Sequence, residues 1–176
     1  SYFSSIDSVA SFFVSRIDSA VDLLLKANGS PIATSLLGKA AIANARLAYQ
    51  TFQSQLETAR WKSIESNGGR IQRPLWASTG VKDPAYEDTR YVLELVAPHT
   101  VNTMPQATLD AVIDHGQFNI NNIESTYDDS HSIFASLSAL DISISAVTAE
   151  LEKDGVMKFA DAWKELLDNV SQVLIS

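Results

Sequence analysis

Three short apolar runs constrain this chain more than any other feature: "VASFFV" within "SVASFFVSRID", "PLWAS" after Arg73, and "YVLELVAP" from Tyr91. None alternates cleanly between apolar and polar residues, so each reads as a strand covered on both faces, which is the situation of a parallel sheet. Strands are expected over Val9 to Val14, Leu75 to Ser78 and Tyr91 to Val96, as parallel neighbours in that order. Pro74 suits the first residue of a strand better than its middle. About a dozen residues separate the second run from the third, close to the minimum for a parallel crossover, with "DPAYED" as its short helix.

Helical patterns fill the intervals. Asp18 and Ser19 are plausible N-caps for a helix in "AVDLLLKANG", which Asn28 and Gly29 end, and "GSPIATS" reads as a loop. From Ser35, the residues Leu37, Ala41, Ala45, Ala48, Phe52 and Leu56 recur at three- and four-residue steps along one helix face that fades past Trp61. Beyond Pro98, Thr103 is expected to cap a helix carrying Leu109, Val112 and Ile113, ended by His115 and Gly116. Further helices are expected around Ile133 and Leu137, and around Val147 and Leu151, the latter closed by Asp154 and Gly155. A terminal helix is expected to bury Phe159, Trp163, Leu166 and Val170.

Strands alternating with helices define an α/β chain whose ligand sites lie beyond the carboxyl ends of its strands, where Ser78 and Thr79 fall. Three strands are too few for a closed eight-stranded barrel, which takes about 250 residues; the 176 residues here read as its later part. A net charge of -8 argues against nucleic acid or an anionic membrane surface as the partner. The absence of cysteine excludes disulfides, thiolate catalysis and cysteine-bound metal in this sequence. The opening "SYFSSIDS" lacks a signal-peptide pattern, and the expected compartment is the cytoplasm, or a plastid for a plant protein.

The segments "VASFFVSRID", "GKAAIANARLAYQ", "RPLWASTG", "YVLELVAP", "TVNTMP" and "DHG", in this order, resemble the C-terminal half of a transaldolase of the actinobacterial, cyanobacterial and plant type. The likeness continues more loosely into "AVTAELEKDGVMKFADAW". It implies strands six to eight of a (β/α)8 TIM barrel followed by a helical tail, with residues 1–176 forming the C-terminal portion of one barrel domain whose N-terminal half lies outside this chain. It also implies transfer of a dihydroxyacetone unit from sedoheptulose 7-phosphate or fructose 6-phosphate to glyceraldehyde 3-phosphate or erythrose 4-phosphate through a Schiff base. No metal or organic cofactor is implied.

Transaldolases carry their Schiff-base lysine in a motif resembling "KIPAT". None of Lys26, Lys39, Lys62, Lys82, Lys153, Lys158 and Lys164 has that context. This half is therefore expected to supply the phosphosugar-binding wall and no catalytic lysine. By the resemblance, Ser11 meets the dihydroxyacetone hydroxyls, Arg16 grips the phosphate and Ser78 is a second substrate contact. The better-known relatives place an arginine two residues after that serine, where this chain has Gly80; Lys82 is the cation available to replace it. Read without the resemblance, Arg16 is a surface arginine paired with Asp18 or Asp22, and Ser78 a turn residue.

Glu94 within the third apolar run calls for a partner, with Arg90 or Lys82 at hand. His99, His115 and His131 have no metal-ligand spacing, and His115 suits a helix C-terminus. Two other classes remain open at this stage: a noncatalytic phosphosugar-binding or interaction module that lacks the lysine, and a fusion with a glucose-6-phosphate isomerase domain.

Overall fold

In the computed structural model, residues 2–118 and 123–175 are described. The chain divides into two units, Ser1–Ile142 and Ser143–Ser176. The first begins with a 3-10 turn, Tyr2–Ser5, and then β1, Ser8–Phe13. The helices α1 (Ser15–Asn28), α2 (Pro31–Leu36), α3 (Ala40–Leu56) and α4 (Ala59–Ser66) follow. Strand β2 (Gln72–Ala77), the single-turn α5 (Arg90–Leu93), β3 (Val101–Asn102), α6 (Gln106–His115) and α7 (Tyr127–Ala139) complete the unit.

The strands form one sheet in the order β1-β2-β3, with both pairings parallel. The expected order of parallel neighbours holds, but its third member is misplaced. Tyr91 to Val96 is not a strand: its first residues lie in α5, and the sheet is completed by Val101–Asn102. An apolar run fits a buried helical turn as well as a buried strand, and here the turn buries Tyr91, Val92 and Leu95. "DPAYED" is likewise a series of turns without a helix.

Pro74 sits inside β2, opposite Ala10, and not at its start. The backbone explains why this is tolerated. The Trp76 carbonyl accepts from Thr103 N–H, so even-numbered residues of β2 turn their polar groups toward β3. Pairing with β3 begins only at Leu75, so the donor that proline lacks costs no ladder bond.

Register places Phe12 beside Trp76 on one face, where their rings meet edge to face at 5.7 Å. Trp76 is 1% exposed and donates its Nε1–H to the Leu95 carbonyl at 3.1 Å. Val9, Ser11 and Phe13 alternate onto the opposite face. That face is bare, with Val9 41% and Phe13 43% exposed.

The helix starts differ from expectation wherever a tertiary partner replaces a local cap. Helix α1 begins at Ser15 after Val14, so Asp18 and Ser19 lie inside it and cap nothing in α1. "GSPIATS" is helical: Ser30 Oγ accepts from Ala33 N–H and Pro31 takes the first position, a pairing of cap and proline that favours helix initiation. Leu37 ends α2, and the long helix starts at Ala40; it stops at Leu56, and Thr58 then caps α4. Pro105, not Thr103, precedes α6, because Thr103 is engaged with Trp76.

The second unit is one helix, α8 (Ile144–Ile175), running through Asp154 and Gly155 without a break. A single glycine inside a helix costs only about 1 kcal/mol, which the surrounding turns absorb. Phe159 and Trp163 are 74% and 62% exposed, and Leu166 and Val170 are also exposed, so the expected burial of this stripe is not found. Spacing fixes which residues share a helix face and says nothing about what covers it. Among the described residues no single helix is long and apolar enough to cross a membrane.

Candidate functional site

Beyond the carboxyl ends of the strands the chain gathers hydroxyl groups. Backbone pairing of β1 with β2 continues one step past the strands: Val14 N–H donates to the Ala77 carbonyl at 2.9 Å and Ser15 N–H to the Ser78 carbonyl at 3.1 Å. The Ser15 and Ser78 hydroxyls then meet at 3.0 Å. Ser78 has φ 55, in the left-handed region. For a residue with a Cβ that conformation costs roughly 1–2 kcal/mol, and strain of this kind concentrates at functional strand ends. Thr79, fully buried, donates its hydroxyl to the Thr103 carbonyl at 2.7 Å and lies 3.0 Å from Asn102 Oδ1, joining the ends of β2 and β3.

Behind this rim stand two buried carboxylates on α1. Asp18 accepts from Ala41 N–H at 2.7 Å and from the Tyr91 hydroxyl at 2.7 Å. Asp22, one turn on, accepts from Gly38 N–H at 2.9 Å and from the Tyr86 hydroxyl at 2.6 Å. Lys39, which precedes α3, offers no side-chain cap, so Asp18 satisfies an orphan donor of that helix and sets a negative charge at its positive end. Burial raises the Asp18 pKa above the ordinary carboxylate value against the opposing pull of Tyr91 and Ala41 N–H. Burial also raises the Tyr86 and Tyr91 phenols, helped by the same carboxylates, so both tyrosines remain donors.

Arg90 completes the cluster. Its guanidinium lies 4.6 Å from the Tyr86 ring centre and 5.4 Å from that of Tyr91, and it donates to the Gly38 carbonyl.

A cavity of about 360 Å³ opens here, lined by Ser15, Ser19, Asp22, Lys26, Lys82 and Tyr86 among others. A second cavity of about 430 Å³ lies on the helix-covered face between Phe12, Trp76, Phe52 and Trp61. Its lining is mainly apolar and away from the strand ends, so the first is the better candidate for polar chemistry.

The four residues singled out from sequence fall into two pairs. Ser11 is exposed on the bare face with Phe13, and the Arg16 guanidinium lies 4.4 Å from the Phe13 ring centre. Ser78 and Lys82 are grouped through Ser15, which bonds the first and lines the cavity with the second. Arg16 forms no ion pair with Asp18 or Asp22, whose oxygens are taken by tyrosine and backbone donors. Glu94 does have a structural partner, but it is Arg46 of α3, at 3.1 Å, and neither Arg90 nor Lys82. His115 ends α6 as expected and lies 2.9 Å from Asp88; that contact, with Asp114, raises its pKa above 6.5.

Sequence reading missed Ser15, Asp22, Tyr86 and Tyr91. The available signal was the four-residue spacing of Asp18, Asp22 and Lys26, which puts three charged residues on one stripe of the helix.

A parallel sheet with helices on one face defines an α/β architecture, and hydroxyls, carboxylates and cations gather beyond the carboxyl ends of its strands. The model of the family described as transaldolase/fructose-6-phosphate aldolase matches residues 3–170, and the chain belongs to this family. It is similar to the transaldolase of Renibacterium salmoninarum, 54% identical over 173 residues that make up 98% of this chain and 46% of the relative. The transaldolase of Frankia alni is 52% identical over 171 residues, 97% of this chain and 46% of the relative. That of Mycobacterium tuberculosis is 53% identical over 165 residues, 93% and 44%. The chain thus spans about half the length of the curated relatives it matches.

Proposed function

We propose that this chain is the phosphosugar-binding wall of a transaldolase, forming strands six to eight of a (β/α)8 barrel whose other strands carry the Schiff-base lysine. The observation that carries the reading is the family match across nearly the whole sequence, with relatives named transaldolase. In the complete enzyme a lysine amine attacks the ketose carbonyl and loses water to form an iminium ion. That ion accepts the electron pair when the adjacent carbon–carbon bond breaks. The donor is a ketose phosphate, and the dihydroxyacetone unit passes to an aldose phosphate. Ser11 and Ser78 bind donor hydroxyls, and Arg16 and Lys82 bind phosphate.

The surroundings of these residues support the roles. Arg16 has an aromatic contact and, among the described residues, no carboxylate partner, which leaves its planar donors available to two phosphate oxygens. Lys26, Lys62 and Lys158 are engaged in exposed ion pairs with carboxylates, so their amines are occupied and are not held against a site for a ketose carbonyl. Borohydride reduction in the presence of fructose 6-phosphate is expected to label the complete enzyme at a lysine outside these 176 residues. Peptide mapping of an adduct to Lys82 or any other lysine here would overturn the division of labour.

Arg16→Ala in the complete enzyme is expected to raise KM for fructose 6-phosphate by about 10- to 100-fold, since a charge-assisted hydrogen bond is worth about 1.5–3 kcal/mol. Competitive inhibition by inorganic phosphate should weaken in parallel. If KM rises while the phosphate inhibition constant stays where it was, Arg16 organises the barrel and does not grip phosphate.

A further inference from the structure

We infer that Asp18, Asp22 and Lys26 form a positioning stripe on α1 that holds the segment Asp83 to Tyr91 and thereby fixes Lys82 at the mouth of the strand-end cavity. The inference rests on the reading of Lys82 as a phosphate-binding cation and adds what makes that lysine effective. The three residues are spaced by four, so they line one side of α1, and each takes a partner from the later segment in reverse order. Asp18 holds Tyr91, Asp22 holds Tyr86, and Lys26 holds Asp83 at 3.2 Å. The two segments run past each other like the halves of an antiparallel zipper.

The grip is graded along its length. Tyr91 is 2% exposed and its bond to Asp18 is buried, whereas the Lys26–Asp83 pair has side chains 54% and 36% exposed and contributes little by itself. Asp83 is further fixed by its own turn, with Oδ1 accepting from Ala85 N–H at 3.0 Å and its carbonyl accepting from Tyr86 N–H at 3.1 Å. Arg90 closes the cluster over both tyrosine rings and onto Gly38.

Lys82 immediately precedes this pinned run. It is exposed, has no hydrogen bond or ion pair among the described residues, and lines the cavity with Ser15 and Ser19. A lysine is a point charge on a flexible stem, so the geometry of its contact depends on how firmly its backbone is held. Ordering a loop on binding weakens affinity, and a loop ordered beforehand avoids that loss. The stripe supplies the order.

The test is a double-mutant cycle in the complete enzyme, read as KM for fructose 6-phosphate and as competitive inhibition by inorganic phosphate. Tyr86→Phe removes one hydroxyl and keeps the ring beneath Arg90; Asp22→Asn is the second variant should the first fail to fold. Lys82→Ala is expected to raise KM about 10-fold, and Tyr86→Phe by a similar factor, because a hydrogen bond to a charged group carries at least that much. The double variant is expected to be no worse than Lys82→Ala alone. If Lys82→Ala leaves both constants where they were, the phosphate role of Lys82 falls and the positioning role with it. If Lys82→Ala weakens phosphate but Tyr86→Phe does not, or if the two factors multiply, only the positioning role falls.

Discussion

Trp76→Ala is expected to destabilise the complete protein by about 3–5 kcal/mol, the range for truncating a buried tryptophan. Trp76 is 1% exposed, packs against Phe12 and bonds Leu95 through its indole N–H, so it joins the sheet to the segment after α5. Truncation opens a cavity beside an existing one of about 430 Å³ and strands the Leu95 carbonyl, whose residue is itself 1% exposed. Trp76→Phe separates the two losses, because it keeps most of the apolar contact while removing the donor; it should cost about 1–3 kcal/mol. Urea unfolding followed by circular dichroism measures both. A Trp76→Ala midpoint equal to the parent's would mean that the Phe12 face of the sheet is not covered as described.

How much of this was legible beforehand depends on where the information sits. Strands β1 and β2 are local in origin: their apolar residues and their serine endings lie within one short window, and both elements were found within two residues at each end apart from the longer start of β2 at Gln72. Strand β3 carries no such window. Val101–Asn102 is a strand because Leu75 and Trp76 lie beside it and Trp76 accepts from Thr103, facts that belong to the assembled sheet. The more apolar Tyr91 to Val96 therefore drew the assignment, although it is helical at its start.

The site divides in the same way. Ser11, Arg16, Ser78 and Lys82 followed from a likeness of motifs, whereas Asp18 was read as a cap for its own helix. It caps α3 instead, across 23 residues, and its second oxygen serves a tyrosine 73 residues away. Spacing marks such a stripe as charged along one side of the helix, but a partner at that separation leaves no trace in the local pattern. The terminal helix shows the converse limit: its stripe from Phe159 to Val170 is evident in the sequence, and it is exposed.

Gly38→Ala is expected to cost about 2–5 kcal/mol, and Gly29→Ala serves as its internal control. Both glycines have φ +68, so both substitutions incur the left-handed penalty of roughly 1–2 kcal/mol for a residue with a Cβ. Their surroundings differ. A Cβ at Gly29 would find its nearest neighbour, the Lys26 carbonyl oxygen, at 4.0 Å, which is open space. At Gly38 it would stand 2.6 Å from Tyr86 Cζ and 2.7 Å from Arg90 Nη1, inside the cluster that Asp22 holds from the other side. Neither ring nor guanidinium can withdraw cheaply, because Tyr86 is bonded to Asp22 and Arg90 to the Gly38 carbonyl itself. Overpacking of that kind adds about 1–3 kcal/mol. Thermal melting of the two variants in the complete protein should therefore place Gly38→Ala well below Gly29→Ala. Equal losses would show that backbone conformation alone sets the cost and that the Tyr86–Arg90 cluster yields. Unequal losses, accompanied by a rise in KM for fructose 6-phosphate in Gly38→Ala alone, would tie the packing around Gly38 to the placement of Lys82.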